Sequence, residues 1–157
     1  RAMADAGAVI MEDPCPMAPD ARFRALREAS PIPILVDFGS TSLRDAGLFL
    51  EQGTRALSVK PGRFGLSHSR AMQALADKSG CDVVVGLMGE SALGTLAGLQ
   101  FAASIAKPVL PAELTWYLAM TEQVLKAVPN IVDGMLELPG DPSLASLVDW
   151  DAVAKAH

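Results

Sequence analysis

Four polar residues lie at the ends of short apolar runs, and their side chains are of kinds that could bind a metal ion and transfer a proton together. They are Glu12, Asp37, Lys60 and Glu90, separated by 25, 23 and 30 residues. Carboxylate oxygens are the ligands that Mg²⁺ prefers, and a lysine in a poorly solvated pocket beside a divalent ion gives up its proton more readily. Such a lysine can exchange a proton with carbon next to a carboxylate, because nearby cations stabilise the doubly negative enolate.

The segments that must position these residues alternate between two patterns. Short apolar runs rich in β-branched residues are typical of strands buried on both faces of a parallel sheet, and they occupy residues 8–11, 32–36, 56–59 and 82–88. Apolar residues spaced three and four apart predict helices over residues 20–28, 42–52, 67–78 and 92–106. A further strand is predicted at 107–110, a helix at 115–127 and a turn-rich tail over 132–142 that packs back on the body or on another segment.

Regular alternation of strand and helix predicts an α/β fold with right-handed crossovers and a parallel sheet. The carboxyl ends of parallel strands lie on one edge, so the four polar side chains are expected to be neighbours on one rim. Spacing alone also suits an ordinary barrel or sheet rim that carries unrelated surface charges. The central expectation is that the side chains of Glu12, Asp37 and Lys60 lie close together at the carboxyl ends of the strands.

Composition excludes several other classes of function. The 157 residues carry a net charge of −5 with scattered charges, which favours neither nucleic acid nor a membrane surface as a partner. No apolar run approaches the roughly 20 residues that span a bilayer. The two cysteines, Cys15 and Cys81, form neither a metal-ligand spacing nor a disulfide framework, so we expect small buried or incidental thiols and a cytoplasmic location.

Motifs at the strand ends resemble those of a known family. In chain order they read Met-Glu-Asp-Pro at 11–14, Asp-Phe-Gly-Ser at 37–40, Lys-Pro-Gly-Arg-Phe-Gly-Leu at 60–66, and Met-Gly-Glu followed by Gly-Thr within 88–95. Their order and intervals are similar to the E-x-P, D-E-x, K-x-G-R-x-G-G and M-x-E motifs of muconate cycloisomerases and their relatives in the enolase superfamily. The segments 112–114 and 118–122 resemble the last-strand region of that family.

The resemblance implies a TIM-type (β/α) barrel, of which this chain holds the C-terminal part with about five parallel strands and flanking helices. Residues 1–151 are assigned to the barrel domain and 152–157 to a tail. Parent activities would be Mg²⁺-assisted proton abstraction leading to racemisation, epimerisation, cycloisomerisation or water elimination, with a small carboxylate as substrate. The implied roles are metal binding by Glu12 and Asp37, catalysis by Lys60 and Glu90, and substrate contact by Arg63 and Met88.

Departures from the family pattern raise a competing interpretation. Phe38 stands where the family usually has Glu, Leu66 replaces one glycine of the double-glycine loop, and the early lysine pair and first metal carboxylate would precede Arg1. Half a barrel leaves open edges, so we expect the missing half or a second copy of the chain to complete it. A non-catalytic or degenerate fragment that acts within an assembly is the alternative to an enzyme.

Weaker motifs suggest other chemistry. Residues 37–42 resemble the phosphate-binding strand turn of actin-like ATPases, but the helical pattern over 43–48 counts against the hairpin that this class needs. The Gly-Glu-Ser-Ala-Leu run at 89–93 resembles a serine-hydrolase elbow but has Leu93 where the tight turn needs glycine. His68, at the start of a predicted helix, is expected to be solvated or to cap that helix.

Overall fold

Four short parallel strands, each followed by a helix, form the body of the chain. The computed structural model describes residues 1–106, 110–141 and 143–155. In chain order the elements of the body are α1 (Ala2–Asp5), β1 (Met11–Glu12), α2 (Ala21–Ala29), β2 (Ile34–Val36), α3 (Leu43–Glu51), β3 (Ala56–Val59), α4 (Pro61–Lys78), β4 (Asp82–Val85) and α5 (Ala92–Ala103). Strands pair in the order β1-β2-β3-β4, all parallel, so the predicted α/β fold is confirmed.

The main core lies between the sheet and the helices. Alternate strand residues such as Val36, Leu57 and Val85 are buried against α2, α3 and α4. Phe23 of α2 meets Phe49 of α3 edge to face, with ring centroids 5.0 Å apart. Each side chain of this size that leaves water contributes about 1.5–3 kcal/mol, so this layer supplies much of the stability of the body.

Local signals in the sequence set the helix starts. The Asp20 carboxylate accepts hydrogen bonds from the backbone N–H groups of Arg22 and Phe23, which caps α2. The Ser42 hydroxyl accepts from the Asp45 N–H and caps α3 in the same way. These caps explain why the predicted starts of both helices lie within one residue of the observed ones.

Several predicted boundaries differ from the structure. The strand expected at 8–11 is the two-residue β1, Met11–Glu12, so Glu12 lies inside the strand rather than after it. Helix α4 begins at Pro61 instead of 67, with an interruption at Gly65, whose φ of 72° is left-handed. The strand expected at 107–110 lies almost entirely outside the described residues.

The helix predicted over 115–127 is wrong. Only a four-residue 3₁₀ turn, Trp116–Ala119, forms there. The Gln123 side-chain amide donates to the Tyr117 carbonyl, a group that a continued helix would use, and its oxygen accepts from the Ala92 N–H at the start of α5.

The last part of the chain packs back on α5. The hairpin of β5 (Ile131–Val132) and β6 (Met135–Leu136) turns at Asp133 and Gly134, which both have positive φ. Buried Tyr117 and Leu125 join α5 in a second apolar cluster with partly buried residues of the 3₁₀ turn Leu144–Leu147. Helix α6 (Trp150–Lys155) follows, and it includes residue 152, at which the terminal tail was predicted to begin.

Two further expectations concern membranes and thiols. Within the described residues no helix is both long and apolar enough to cross a bilayer. Cys15 is exposed and Cys81 is buried, and neither forms a disulfide. Burial raises the pKa of the Cys81 thiol to about 12, which makes this group an unreactive core residue.

Candidate active site

One face of the sheet carries the candidate site residues. The strand register aligns Glu12 with Leu35 and Leu35 with Ala56. Because side chains alternate along a strand, Asp37, two positions after Leu35, and Lys60, four positions after Ala56, emerge on the same face as Glu12. The contacts among these side chains agree with this register and bring all three to the carboxyl ends of neighbouring strands.

Asp37 lies at the centre of a buried group of charges. Its Oδ2 accepts a 2.6 Å hydrogen bond from Lys60 Nζ, and the two residues are only 1% and 8% exposed. Arg63 Nη1 lies 3.1 Å from Asp37 Oδ1 and donates a 3.1 Å hydrogen bond to the Asp37 carbonyl oxygen. Two cations therefore hold one carboxylate in a defined orientation, screened from water.

Gly86 makes room for the lysine. It follows β4 directly, and its N–H donates to the Val59 carbonyl of the neighbouring strand at 3.1 Å. A Cβ at this position would lie 2.6 Å from Lys60 Cε and 2.7 Å from Ser58 Oγ, closer than side chains tolerate. The glycine thus lets the long side chain cross the sheet face to reach Asp37.

Three carboxylates form a cluster at the ends of β1 and β2. One oxygen each from Glu12, Asp13 and Asp37 lies within 4.8 Å of the others. Asp37 Oδ1 is buried and accepts no hydrogen bond within the described part of the chain, because the Arg63 N–H is directed at the carbonyl oxygen. An all-oxygen donor set with a buried oxygen that accepts no hydrogen bond fits a hard divalent cation such as Mg²⁺, although Arg63 lies close to that oxygen.

The charge of the cluster acts on Glu12. Partial burial raises the pKa of Glu12 above its usual value of 4.5, and the carboxylates of Glu113, Asp37 and Asp13 raise it further, whereas Lys60 lowers it. The influence of Glu113 shows that the segment after α5 returns towards β1. The Glu113 N–H donates to the Val85 carbonyl at 2.8 Å, which places this segment beside β4.

We predict that the metal-free protein loses stability as the pH rises above about 4.5 through the raised pKa of Glu12. In that range the folded state retains a proton that the unfolded state has released, so rising pH favours unfolding. Glu12→Gln should flatten this part of the profile. Urea unfolding midpoints between pH 4 and 7, measured with a chelator, test this against Glu122→Gln, an exposed control. Identical profiles for Glu12→Gln and the unsubstituted protein would contradict it.

The remaining predicted site residues lie around this cluster. Both oxygens of Glu90 accept from the Met88 N–H, at 2.9 and 2.8 Å, so the carboxylate faces its own loop. The Glu90 side chain also fills the space beside Gly62, where a Cβ would collide with it. The Met88 side chain is exposed at the rim, and Arg63 contacts Asp37. The catalytic role of Glu90 and the substrate contacts of Arg63 and Met88 stay predictions.

Asp13 and Glu113 belong to the site although the sequence patterns assigned them no role. The sequence pattern did not single out Asp13, because the preceding residue, Glu12, already ended the apolar run. Glu113 lies in the segment that resembles a last strand, and a strand end facing the same rim is the signal that could have identified it. Both carboxylates act on Glu12.

A parallel sheet with flanking helices and with carboxylates and a lysine at its strand ends defines an α/β domain and fits one part of a (β/α) barrel. The chain belongs to the enolase C-terminal domain-like family, whose sequence profile matches residues 1–152. The resemblance inferred from the motifs is therefore confirmed.

Relatives of this chain are cycloisomerases. It is 28% identical over 155 residues to muconate cycloisomerase 1-2 of Acinetobacter lwoffii, covering 98% of this chain and 40% of that protein. It is 30% identical over 140 residues to a chloromuconate cycloisomerase of Cupriavidus pinatubonensis, covering 87% and 37%. The chain thus spans about two fifths of the length of these relatives.

The fold of this chain is also similar to that of a solved structure. Muconate lactonizing enzyme from Pseudomonas putida superposes with a TM-score of 0.89 at 24% identity, over 98% of this chain and 43% of that chain. At this identity the likeness concerns the fold. Four parallel strands with flanking helices therefore match the C-terminal, barrel-like domain of that enzyme.

Proposed function

We propose that this chain carries part of the active site of an enzyme that removes a proton from the carbon next to a substrate carboxylate, assisted by Mg²⁺. The observation that carries the proposal is the contact between Lys60 and Asp37 beside the cluster of Glu12, Asp13 and Asp37. The names of the relatives, muconate and chloromuconate cycloisomerase, support an isomerase or lyase acting on a carboxylate.

Glu12 and Asp37 would hold the cation. Both are oxygen ligands at neighbouring strand ends, and the buried Oδ1 of Asp37, which accepts no hydrogen bond, would exchange its ion pair with Arg63 for the cation. A bound divalent ion supplies stabilisation of the negative charge that develops on the substrate carboxylate. Binding of the ion would also remove the mutual repulsion that raises the pKa of Glu12.

Lys60 would move the proton. Nζ donates to Asp37 in this structure; to act as the base it would first pass that proton to solvent and then take the proton from the α-carbon, while the electrons of the broken C–H bond would pass into the carboxylate as an enolate. Its buried position keeps water from Nζ, and the Asp37 carboxylate orients it. Return of a proton to the same or the opposite face, ring closure, or loss of a leaving group would give an epimerase, racemase, cycloisomerase or dehydratase.

The rim residues would contact the substrate. We assign Glu90 to a second acid/base role near the mouth, and Arg63 and Met88 to substrate contacts. Arg63 is partly satisfied by Asp37, with its side chain 16% exposed, so an anionic substrate would meet a guanidinium that is already oriented. The exposed Met88 side chain would provide an apolar wall.

The rest of the barrel would come from outside the described strands. β1 pairs only with β2, so its other edge is unpaired within the described part of the sheet, and this chain spans two fifths of its relatives. We propose that a missing barrel half, or failing that a second copy of this chain, pairs with that edge. Without it the site would lack a third strand-end ligand and an opposing base.

A test of the function is hydrogen exchange in the intact protein. With Mg²⁺ in deuterated buffer, proton NMR should show α-deuteration of at least one member of a panel of muconate, chloromuconate and small carboxylic acids. We expect exchange to need Mg²⁺ and to fall by at least about 100-fold in Glu12→Gln, because loss of a ligand should cost more than loss of an outer partner. Glu122→Gln is the matched control.

Two results would contradict the proposal. One is exchange that is independent of Mg²⁺ and of Glu12. The other is a folded protein that binds Mg²⁺ but exchanges no acid of the panel, which would favour the non-catalytic interpretation suggested by Phe38. Its ring, which is 77% exposed, stands where the motif that this chain resembles usually has Glu.

A further inference from the structure

Asp13 ties the end of β1 to the end of β2. Its Oδ1 accepts a 3.1 Å hydrogen bond from the Asp37 N–H, and its Oδ2 accepts a 2.7 Å bond from the Phe38 N–H. The Asp13 N–H in turn donates to the Leu35 carbonyl at 3.1 Å. Three hydrogen bonds therefore join this residue to the backbone on either side of the Asp37 carboxylate.

The backbone of Asp13 is held in an unfavourable conformation. Its φ of 33° lies in the left-handed region, which is unfavourable for a residue other than glycine. Hydrogen bonds to a carboxylate contribute more than neutral ones, so the contacts with β2 offset this cost. The strained conformation persists because it aims the carboxylate at two consecutive N–H groups.

We propose that Asp13 is a positioning residue that fixes Asp37 as a cation ligand and so sets the affinity of the site for a divalent ion. This inference rests on the metal site of the proposed function. Both polar groups of the Asp37 backbone are hydrogen-bonded: its N–H donates to Asp13, and its carbonyl oxygen accepts from Arg63. A ligand held by such outer contacts loses less conformational entropy when the ion binds.

Asp13 acts through hydrogen bonds rather than as a direct ligand. Although one of its oxygens lies within 4.8 Å of Glu12 and Asp37, both oxygens accept backbone N–H groups of β2. An amide at this position has one oxygen, and its NH₂ group would face one of the two donors. Asp13→Asn should therefore release the end of β2 while preserving the size of the side chain.

Asp20 offers a matched control. Its carboxylate also accepts two consecutive backbone N–H groups, those of Arg22 and Phe23, but it caps α2 away from the cluster. Both bonds go to one oxygen, Oδ1, which an amide retains, so Asp20→Asn makes the same chemical change but keeps the cap. It should leave both the fold and the ion affinity unchanged.

The test uses Mg²⁺ and the luminescent probe Tb³⁺ on the intact protein. Asp13→Asn should weaken binding of both ions about 10- to 100-fold, the usual effect of losing an outer partner of a ligand. Luminescence lifetimes in H₂O and D₂O should give an unchanged number of bound waters. Asp13→Glu, which retains the charge but displaces the carboxylate, should weaken binding similarly, whereas Asp20→Asn should stay within about twofold of the unsubstituted protein.

The possible outcomes separate this inference from the proposed function. Unchanged affinity in both Asp13 variants overturns the positioning role. Weaker binding with one additional bound water also overturns it, because it makes Asp13 a direct ligand. An unsubstituted protein that binds neither ion overturns the metal site itself, and with it both proposals.

Discussion

Lys60→Met is expected to lower the rate of α-proton exchange by about 10²–10⁴-fold, the usual contribution of a positioned acid or base. Methionine has a similar length and suits the buried path across Gly86, but it cannot accept a proton. The same substitution should leave Mg²⁺ affinity unchanged or improve it, because Lys60 Nζ occupies Asp37 Oδ2 at 2.6 Å and competes with a cation. The exchange rate should fall while Mg²⁺ affinity does not, so a general loss of structure cannot mimic the two results together.

Exchange rates by proton NMR and Mg²⁺ titration calorimetry on one preparation test this prediction. Lys78→Met, at the exposed end of α4, is the control and should change neither quantity. An exchange rate within tenfold of the unsubstituted protein would exclude Lys60 as the base. Loss of Mg²⁺ binding in Lys60→Met would show instead that the ammonium holds the ligand set together.

Asp37→Ala is expected to lower the free energy of unfolding of the metal-free protein by about 3–5 kcal/mol, the typical cost of removing one partner of a buried ion pair. Lys60 is only 8% exposed and would lose the carboxylate with which its ammonium forms an ion pair. Arg63 would lose its contact with Asp37 Oδ1 as well. The burial of both charges, not the net strength of their attraction, makes the effect large.

The double variant Asp37→Ala/Lys60→Met should recover part of this loss, because it removes the stranded cation. Urea unfolding with a chelator, followed by circular dichroism, gives the four free energies needed, those of the unsubstituted protein, Asp37→Ala, Lys60→Met and the double variant. Asp77→Ala, on the exposed side of α4, should change stability by no more than about 0.5 kcal/mol. Additive losses in the double variant would show that the two residues are not coupled.

Periodicity and strand-end motifs predicted the elements that hold the site. Strand β3 was predicted at its observed bounds, because an apolar run between a helix stop at Gly53 and a proline at 61 leaves little freedom. Motif order identified the family, and parallel strands were sufficient to place Glu12, Asp37 and Lys60 on one edge. The helix predicted over 115–127 is wrong because apolar spacing alone does not reveal that the Gln123 side chain bonds to the Tyr117 carbonyl and to the start of α5 instead of lying on a helix.

The chain's own sequence thus determined the order of strands and helices, the family and the set of charged groups at the rim, since these follow from local pattern and chain direction. Only the tertiary structure decided which oxygens are free and which are used. In the folded chain both oxygens of Glu90 accept a hydrogen bond from their own loop, and the Asp13 carboxylate accepts one from the backbone at the end of β2. The fold also brings Glu113 back towards Glu12. Such choices depend on side-chain rotamers and loop paths, which residues distant in sequence determine through packing and hydrogen bonding.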